Sequence, residues 1–142
     1  MFAGSYEHTV DAKGRLAIPA RFRPDLADGL VLCKGFEKCV RVFGPAEWQR
    51  VSAQMIALPD NLANARRLRR AVFGSAFPSE LDGHGRVVLP GPLREYAGIN
   101  DSVMVIGAGN YFEIWDSRLW MAENALIDED PGRIAESIEL PR

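Results

Sequence analysis

The chain repeats itself. The run Asp-Ala-Lys-Gly-Arg-Leu-Ala-Ile-Pro at 11–19 returns as Asp-Gly-His-Gly-Arg-Val-Val-Leu-Pro at 82–90. Both obey D-x-x-G-R-φ-x-φ-P, with φ apolar. The echo continues downstream in the same order. Phe22 and Arg23 answer Leu93 and Arg94, and the apolar run 30–33 answers 103–106. Val42, Phe43 and Trp48 answer Ile114, Trp115 and Trp120. An internal repeat restricts the fold more than any single motif, because whatever one copy builds the other must build too. Units this short rarely close a core alone, so the two copies are expected to pack on each other.

Composition sets the class. The 142 residues are 47% hydrophobic and 25% charged, as in an ordinary globular domain. No stretch nears the roughly 18 consecutive apolar residues of a membrane span. The opening residues lack the basic and apolar regions of a signal peptide, so a cytoplasmic location is expected. Cys33 and Cys39 match no common zinc spacing, and only two histidines are present, so no metal and no cofactor are expected.

The formal net charge of −2 masks an uneven distribution. Residues 123–142 form an acidic tail with six acids and two arginines; the rest of the chain carries 15 basic and 13 acidic residues. Lys13, Arg15, Arg21 and Arg23 fall close together against Asp11 alone, which makes a local basic patch.

Each half reads as strand, turn, strand, short helix, hairpin, helix. Residues 7–10 and 16–18 are strands around an Asp–Gly turn, in which Asp11 and Asp82 brace the backbone and Gly14 and Gly85 take positive φ. Pro19 opens a short helix through Arg23. Residues 30–33 and 39–43 form a hairpin, and Pro45 starts a helix toward Leu58. Asp60 is expected to cap a helix through Phe73, residues 75–80 are extended, and Ser117 is expected to cap the last helix. Beyond Asp128 a loose or weakly helical end is expected.

No nucleophile elbow, phosphate loop or zinc-hydrolase pair is present, so an enzyme is not expected. His84 sits between glycines, but its counterpart is Lys13, so that position selects a cationic or polar tip. The sharp signal is the arginine after each turn glycine. Arg15 and Arg86 can bond guanine bidentately or clamp phosphate, with Asp11 and Asp82 orienting them. The alternative is that both arginines only staple their own turns or the junction between the copies. Four arginines at 66, 67, 69 and 70 fall on one helical face and suit a solvated face or an inter-subunit salt-bridge surface, with direct nucleic-acid contact as the alternative. The matched positions of the tryptophans favour packing over base stacking.

The D-x-x-G-R-φ-x-φ-P unit resembles the SpoVT/AbrB swapped-hairpin element. Doubled, and preceded by Met-Phe-x-Gly-x-Tyr-x-His, it resembles the MraZ family of bacterial transcriptional regulators. The resemblance implies an α+β, β-rich fold in which two tandem units form one pseudo-twofold double-split β-barrel with peripheral helices. It divides the chain into a first unit at 5–51, a connecting helix region at 52–76, a second unit at 77–122 and the tail at 123–142. It implies binding of double-stranded DNA at direct repeats in the promoter of the chain's own operon, within a division and cell-wall gene cluster. It also implies a ring-shaped homo-oligomer associated with the nucleoid. Lys13, Arg15, Arg21, Arg23 and Arg86 are the expected DNA contacts, and Asp11, Gly14, Asp82 and Gly85 the orienting residues. No membrane and no small-molecule substrate are expected. The second reading is an antitoxin-like interaction module whose C-terminal tail binds a protein partner.

Overall fold

The computed structural model describes residues 1–138; Glu139, the last acid of the tail, and residues 140–142 lie outside the described residues. The first copy supplies β1 (Ser5–Thr9) and β2 (Arg15–Ala17), then two 3-10 turns at Ala20–Phe22 and Pro24–Leu26. The hairpin β3 (Leu30–Lys34) and β4 (Val40–Phe43) follows, then helices α1 (Pro45–Ile56) and α2 (Ala63–Phe73). The second copy supplies β5 (Phe77–Ser79), β6 (Arg86–Val88), α3 (Gly91–Ala97), β7 (Ser102–Gly107) and β8 (Phe112–Asp116). The helices α4 (Ser117–Glu129) and α5 (Pro131–Ser137) complete it. The fold is α+β with a large antiparallel sheet.

The strands form a six-stranded sheet in the order β1-β7-β8-β4-β3-β5 and a two-stranded ribbon of β2 and β6. If each strand is exchanged for its counterpart in the other copy, both orders read the same from the opposite end. The sheet therefore has a pseudo-twofold axis. Leu16 lies opposite Val87 in the ribbon and Arg41 lies opposite Glu113 between β4 and β8. Each of these pairs joins equivalent residues, so the axis passes through both. Proline in a strand is tolerated where no ladder bond is needed on that side, and Pro78 sits on β5, at the sheet's edge.

The core lies between ribbon and sheet. Leu16, Ile18, Val87 and Leu89 point inward from the ribbon and meet Val103, Val105, Phe112 and Ile114 of the sheet. Burying each such aliphatic side chain is worth about 1.5–3 kcal/mol, enough to hold a three-residue ribbon that would be marginal alone. Phe2, Phe22 and Phe112 stack pairwise with ring centroids 5.0 Å apart, which anchors the first residues of the chain in the core.

Two caps differ from expectation. The helix expected to start at Asp60 starts at Ala63 after an extended Leu62, with no side-chain cap. Asp60 is engaged by the helix's own arginines: Arg66 donates to its carbonyl at 2.7 Å and Arg69 pairs with its carboxylate. At α4 the cap is Asp116, not Ser117. The Asp116 carboxylate accepts the Arg118 N–H at 3.2 Å, while the Ser117 hydroxyl bonds that of Ser102 at 2.7 Å. A carboxylate at the helix's positive end is the stronger acceptor. The segment past Asp128 is helical from Pro131, capped by Asp130. Among the described residues, no helix is long and apolar enough to cross a membrane.

Candidate nucleic-acid interface

The two Asp–Gly turns are built alike. In the first, the Asp11 Oδ1 accepts the N–H groups of Lys13 and Arg15, each at 2.9 Å. Its Oδ2 accepts Arg15 Nε at 2.7 Å. In the second, Asp82 Oδ1 accepts the N–H groups of His84 and Arg86 at 2.9 Å, and Oδ2 accepts Arg86 Nε at 2.8 Å. Backbone bonds close both loops: Gly14 N–H to Asp11 O at 2.9 Å, and Gly85 N–H to Asp82 O at 3.0 Å. Gly14 and Gly85 hold φ of 78° and 73°, where a side chain is strained. The carboxylate thus fixes both the turn and the arginine. Backbone donors lead the effect, so Asp82 is held down to about 2 chiefly by the Arg86 N–H, and Asp11 is lowered chiefly by that of Arg15.

Side chains alternate across the ribbon. Leu16 and Val87 face the core, so Arg15, Ala17, Arg86 and Val88 share the outer face. Arg15 is opposite Val88 and Ala17 opposite Arg86, which places the two arginines diagonally on one surface. Val88 is 53% exposed, an apolar patch between two cations. The Nε of each arginine is taken by its aspartate. Among the described residues, no hydrogen bond occupies the terminal nitrogens of Arg15 or Arg86. Lys13 and His84, on the two turns that lead into the ribbon, are exposed, as is Arg21 in the 3-10 turn after β2.

Arg23 sits differently. Its Nε donates to Ile18 O at 2.9 Å, and its guanidinium covers Gly85, where an added Cβ would overlap it. Arg94, its counterpart, reaches Gly14 more loosely, with Nη1 3.7 Å from where a Cβ would lie, and donates to Asn100 O at 3.2 Å. The cross-links continue in the backbone, with Ile18 N–H to Gly85 O at 2.9 Å and Leu89 N–H to Gly14 O at 2.8 Å. Each copy therefore props up the other copy's loop. Reading the chain as a sequence brings together Lys13, Arg15 and Arg86 but misses the bracing by Arg94 and the outward Ala17 and Val88. The pairing of Arg23 with Arg94 in the repeat was the available signal for the former.

A second polar group lies on the axis. Glu37, Cys39 and Glu113 bring their donor atoms within 4.8 Å of one another. The Cys39 thiol meets Glu113 Oε2 at 3.6 Å, and Trp115 Nε1 donates to Oε1 at 3.0 Å. Burial, reinforced by Glu113, pushes the Cys39 thiol far up. A protonated thiol beside the buried Arg41 makes this a hydrogen-bonding hub between β4 and β8 rather than a ready cation site.

Comparison with known proteins decides the family. The family described as "MraZ protein, putative antitoxin-like" matches at residues 1–71 and again at 72–132. The chain belongs to the MraZ family. A protein of Herpetosiphon aurantiacus named Transcriptional regulator MraZ is 46% identical over 132 residues, covering 92% of each chain. Relatives with the same name are 41% identical over 140 residues in Dehalococcoides mccartyi and 39% identical over 138 residues in Roseiflexus castenholzii. These cover 98% and 97% of this chain, and 99% and 96% of the relatives. The two matched MraZ segments meet at 71/72, in the last turn of α2, just ahead of β5, where the repeat begins again.

Proposed function

We propose that this chain is a sequence-specific DNA-binding transcriptional regulator that lays the β2–β6 ribbon against the major groove. The observation that carries the reading is the pair Arg15 and Arg86, each fixed through Nε by its own aspartate on the outer face of a two-stranded ribbon. A ribbon of this width fits the major groove, and an arginine with free terminal nitrogens matches the guanine O6 and N7 acceptors. Ala17 and Val88 supply apolar contact of the kind a thymine methyl takes. Lys13 and Arg21 contact phosphates, and Arg23 adds positive charge while bracing the second loop. The relatives named as transcriptional regulators support the regulatory role.

In this reading the two units span 5–51 and 77–122, and ribbon and sheet together make the double-split barrel. The targets are direct repeats upstream of the chain's own gene, in the cytoplasm and on the nucleoid. One ribbon makes few phosphate contacts and binds weakly at physiological salt. A ring of subunits compensates through effective concentration, and direct repeats suit such an array better than a palindrome.

The test is fluorescence anisotropy on DNA from upstream of the gene beside a scrambled duplex, across a salt series. Selective binding with a steep salt slope is expected, and Arg15→Ala is expected to remove it while the oligomer survives. Equal weak binding to both duplexes overturns the reading.

A further inference from the structure

The repeat reaches upstream of the two turns. Phe2 and Tyr6 stand nine and five residues ahead of Asp11, and Phe73 and Phe77 keep the same spacing ahead of Asp82. The first copy places Phe2 in the core, its ring 5.0 Å from that of Phe22, and a Cβ added to Gly107 would overlap the Phe2 and Ala3 backbone. The second copy sends the counterpart elsewhere. Phe73 closes α2 and packs edge-on against Trp48 at 5.9 Å. Leu93, Phe77 and Lys34 answer Phe22, Tyr6 and Gly107, the last pair ending β3 and β7. No phenylalanine is delivered to them, and they line an open cavity of ≈ 270 Å³.

The cavity is apolar on one side and cationic on the other. Phe77, Pro92 and Leu93 form the apolar wall, and Lys34 and Arg70 bring charge with no acid in the lining. Among the described residues, neither cation has a salt-bridge partner. Lys34 Nζ lies 4.9 Å from the Tyr96 ring, a contact that steadies the side chain and leaves its donors free. The backbone behind them is already satisfied. Gly74 N–H bonds Arg70 O at 2.8 Å, and the Ser75 hydroxyl donates to Ala71 O at 2.6 Å while accepting the Lys34 N–H at 2.9 Å. The unanswered charge is therefore that of the two cations. Small-molecule clefts begin at roughly 300 Å³, so this volume suits a ligand of one ring and one charged group.

We propose that this cavity binds a small aromatic oxyanion. The ring takes the place that Phe2 holds in the first copy, against Leu93, Phe77 and Pro92. The oxyanion lies between Lys34 and Arg70, where the guanidinium offers paired donors and the ammonium a point charge. The repeat sets the shape of the occupant, and the exchange of Gly107 for Lys34 sets its charge. None of the lining residues belongs to the β2–β6 ribbon, so the site does not depend on DNA binding.

The probe is phenyl phosphate, titrated into the full chain by calorimetry, with the Leu93 methyl signals in NMR reporting where it sits. Saturable binding with a shift of those methyls is expected. Inorganic phosphate alone and benzyl alcohol alone are each expected to bind at least about tenfold more weakly, since each lacks one half of the contact. Lys34→Gln with Arg70→Gln, checked for folding by circular dichroism, is expected to weaken phenyl phosphate at least about tenfold. Arg70→Gln alone, a change at an exposed residue, is expected to weaken it by about threefold or more. Arg66→Gln with Arg67→Gln is expected to leave the affinity unchanged, because those arginines do not line the cavity. Absent saturation, saturation without a Leu93 shift, or full affinity in the folded Lys34 and Arg70 variants overturns the proposal. So does inorganic phosphate binding as tightly as the probe, or a loss of affinity in the Arg66 and Arg67 variant, either of which assigns the contact to the arginine surface at large.

Discussion

The guanidinium of Arg23 lies across Gly85, although the two residues come from different copies of the repeat. Arg94 approaches Gly14 in the mirrored relation, and the backbone bonds from Ile18 to Gly85 and from Leu89 to Gly14 complete the exchange. The two arginine-bearing loops are therefore one mechanical unit, and a fault in either is felt by both.

The glycines separate strain from contact. Gly14 has φ of 78°, and a Cβ there would have its nearest neighbours at 3.7 Å, an ordinary contact. Gly14→Ala should then cost only the left-handed backbone penalty, about 1–2 kcal/mol. Gly85→Ala carries the same penalty and must also displace Arg23. Urea unfolding should show the larger loss for Gly85→Ala; equal losses would mean that Arg23 yields freely.

The turn carboxylates set an acid limit. Asp82 is lowered to about 2, first by the Arg86 N–H and then by that of His84. A lowered native value contributes stability above the ordinary carboxylate range, and that stability is lost as pH falls through the native value. The Asp82 turn should thus remain braced at about pH 4. Carboxyl carbon shifts by NMR should place the Asp82 titration near 2 and that of Asp11 below the ordinary range. A titration of Asp82 near 3.8 would mean the carboxylate is not held by its turn.

His8 works in the same direction at higher pH. Burial, and then the nearby Arg23, lowers its pKa below the usual 6.5. The native state prefers the neutral ring, so stability is greatest above that value and declines as pH drops below it. Unfolding free energy should rise between about pH 5 and pH 7. His8→Gln should flatten part of that rise; an unchanged pH profile would remove His8 from the account.

Arg41 is buried at 8% exposure, and its Nη2 has no hydrogen-bond partner among the described residues. Nε reaches Lys34 O at 3.3 Å, and the guanidinium lies 4.3 Å from the Phe36 ring and 5.2 Å from that of Phe43. A buried cation so poorly partnered contributes little net stability. Arg41→Met, which keeps a flexible apolar stem between the rings, should leave stability unchanged or raise it by about 1–2 kcal/mol. A loss above about 2 kcal/mol in thermal or urea unfolding would show that the ring contacts outweigh desolvation.

The loops were legible in the sequence because their chemistry is local. Asp and Gly at fixed spacing specify the turn, and the same aspartate reaches the arginine four residues on. The hairpin of β3 and β4 and the pseudo-twofold followed from the repeat for similar reasons. The partner of each strand did not, since the runs 30–33 and 103–106 are both plainly apolar, and nothing local says that β1 pairs with β7 of the other copy and not with β3 of its own. Arg23 and Arg94 show the same gap. Their spacing made them a pair, but that each serves the other copy's glycine is a long-range fact. The caps failed more simply: Asp60 and Asp116 are both carboxylates near helix starts, and competition from the Arg66 and Arg69 side chains decided the first.

Joining the copies in one chain releases them from a constraint that two identical chains must obey. A symmetric pair presents the same tip at both ends of its ribbon. Here one end carries Lys13 and the other His84, on turns otherwise matched bond for bond. The ribbon consequently has a front and a back. A molecule with that polarity can register which way along a surface it is lying, and every copy placed beside it can be made to point the same way.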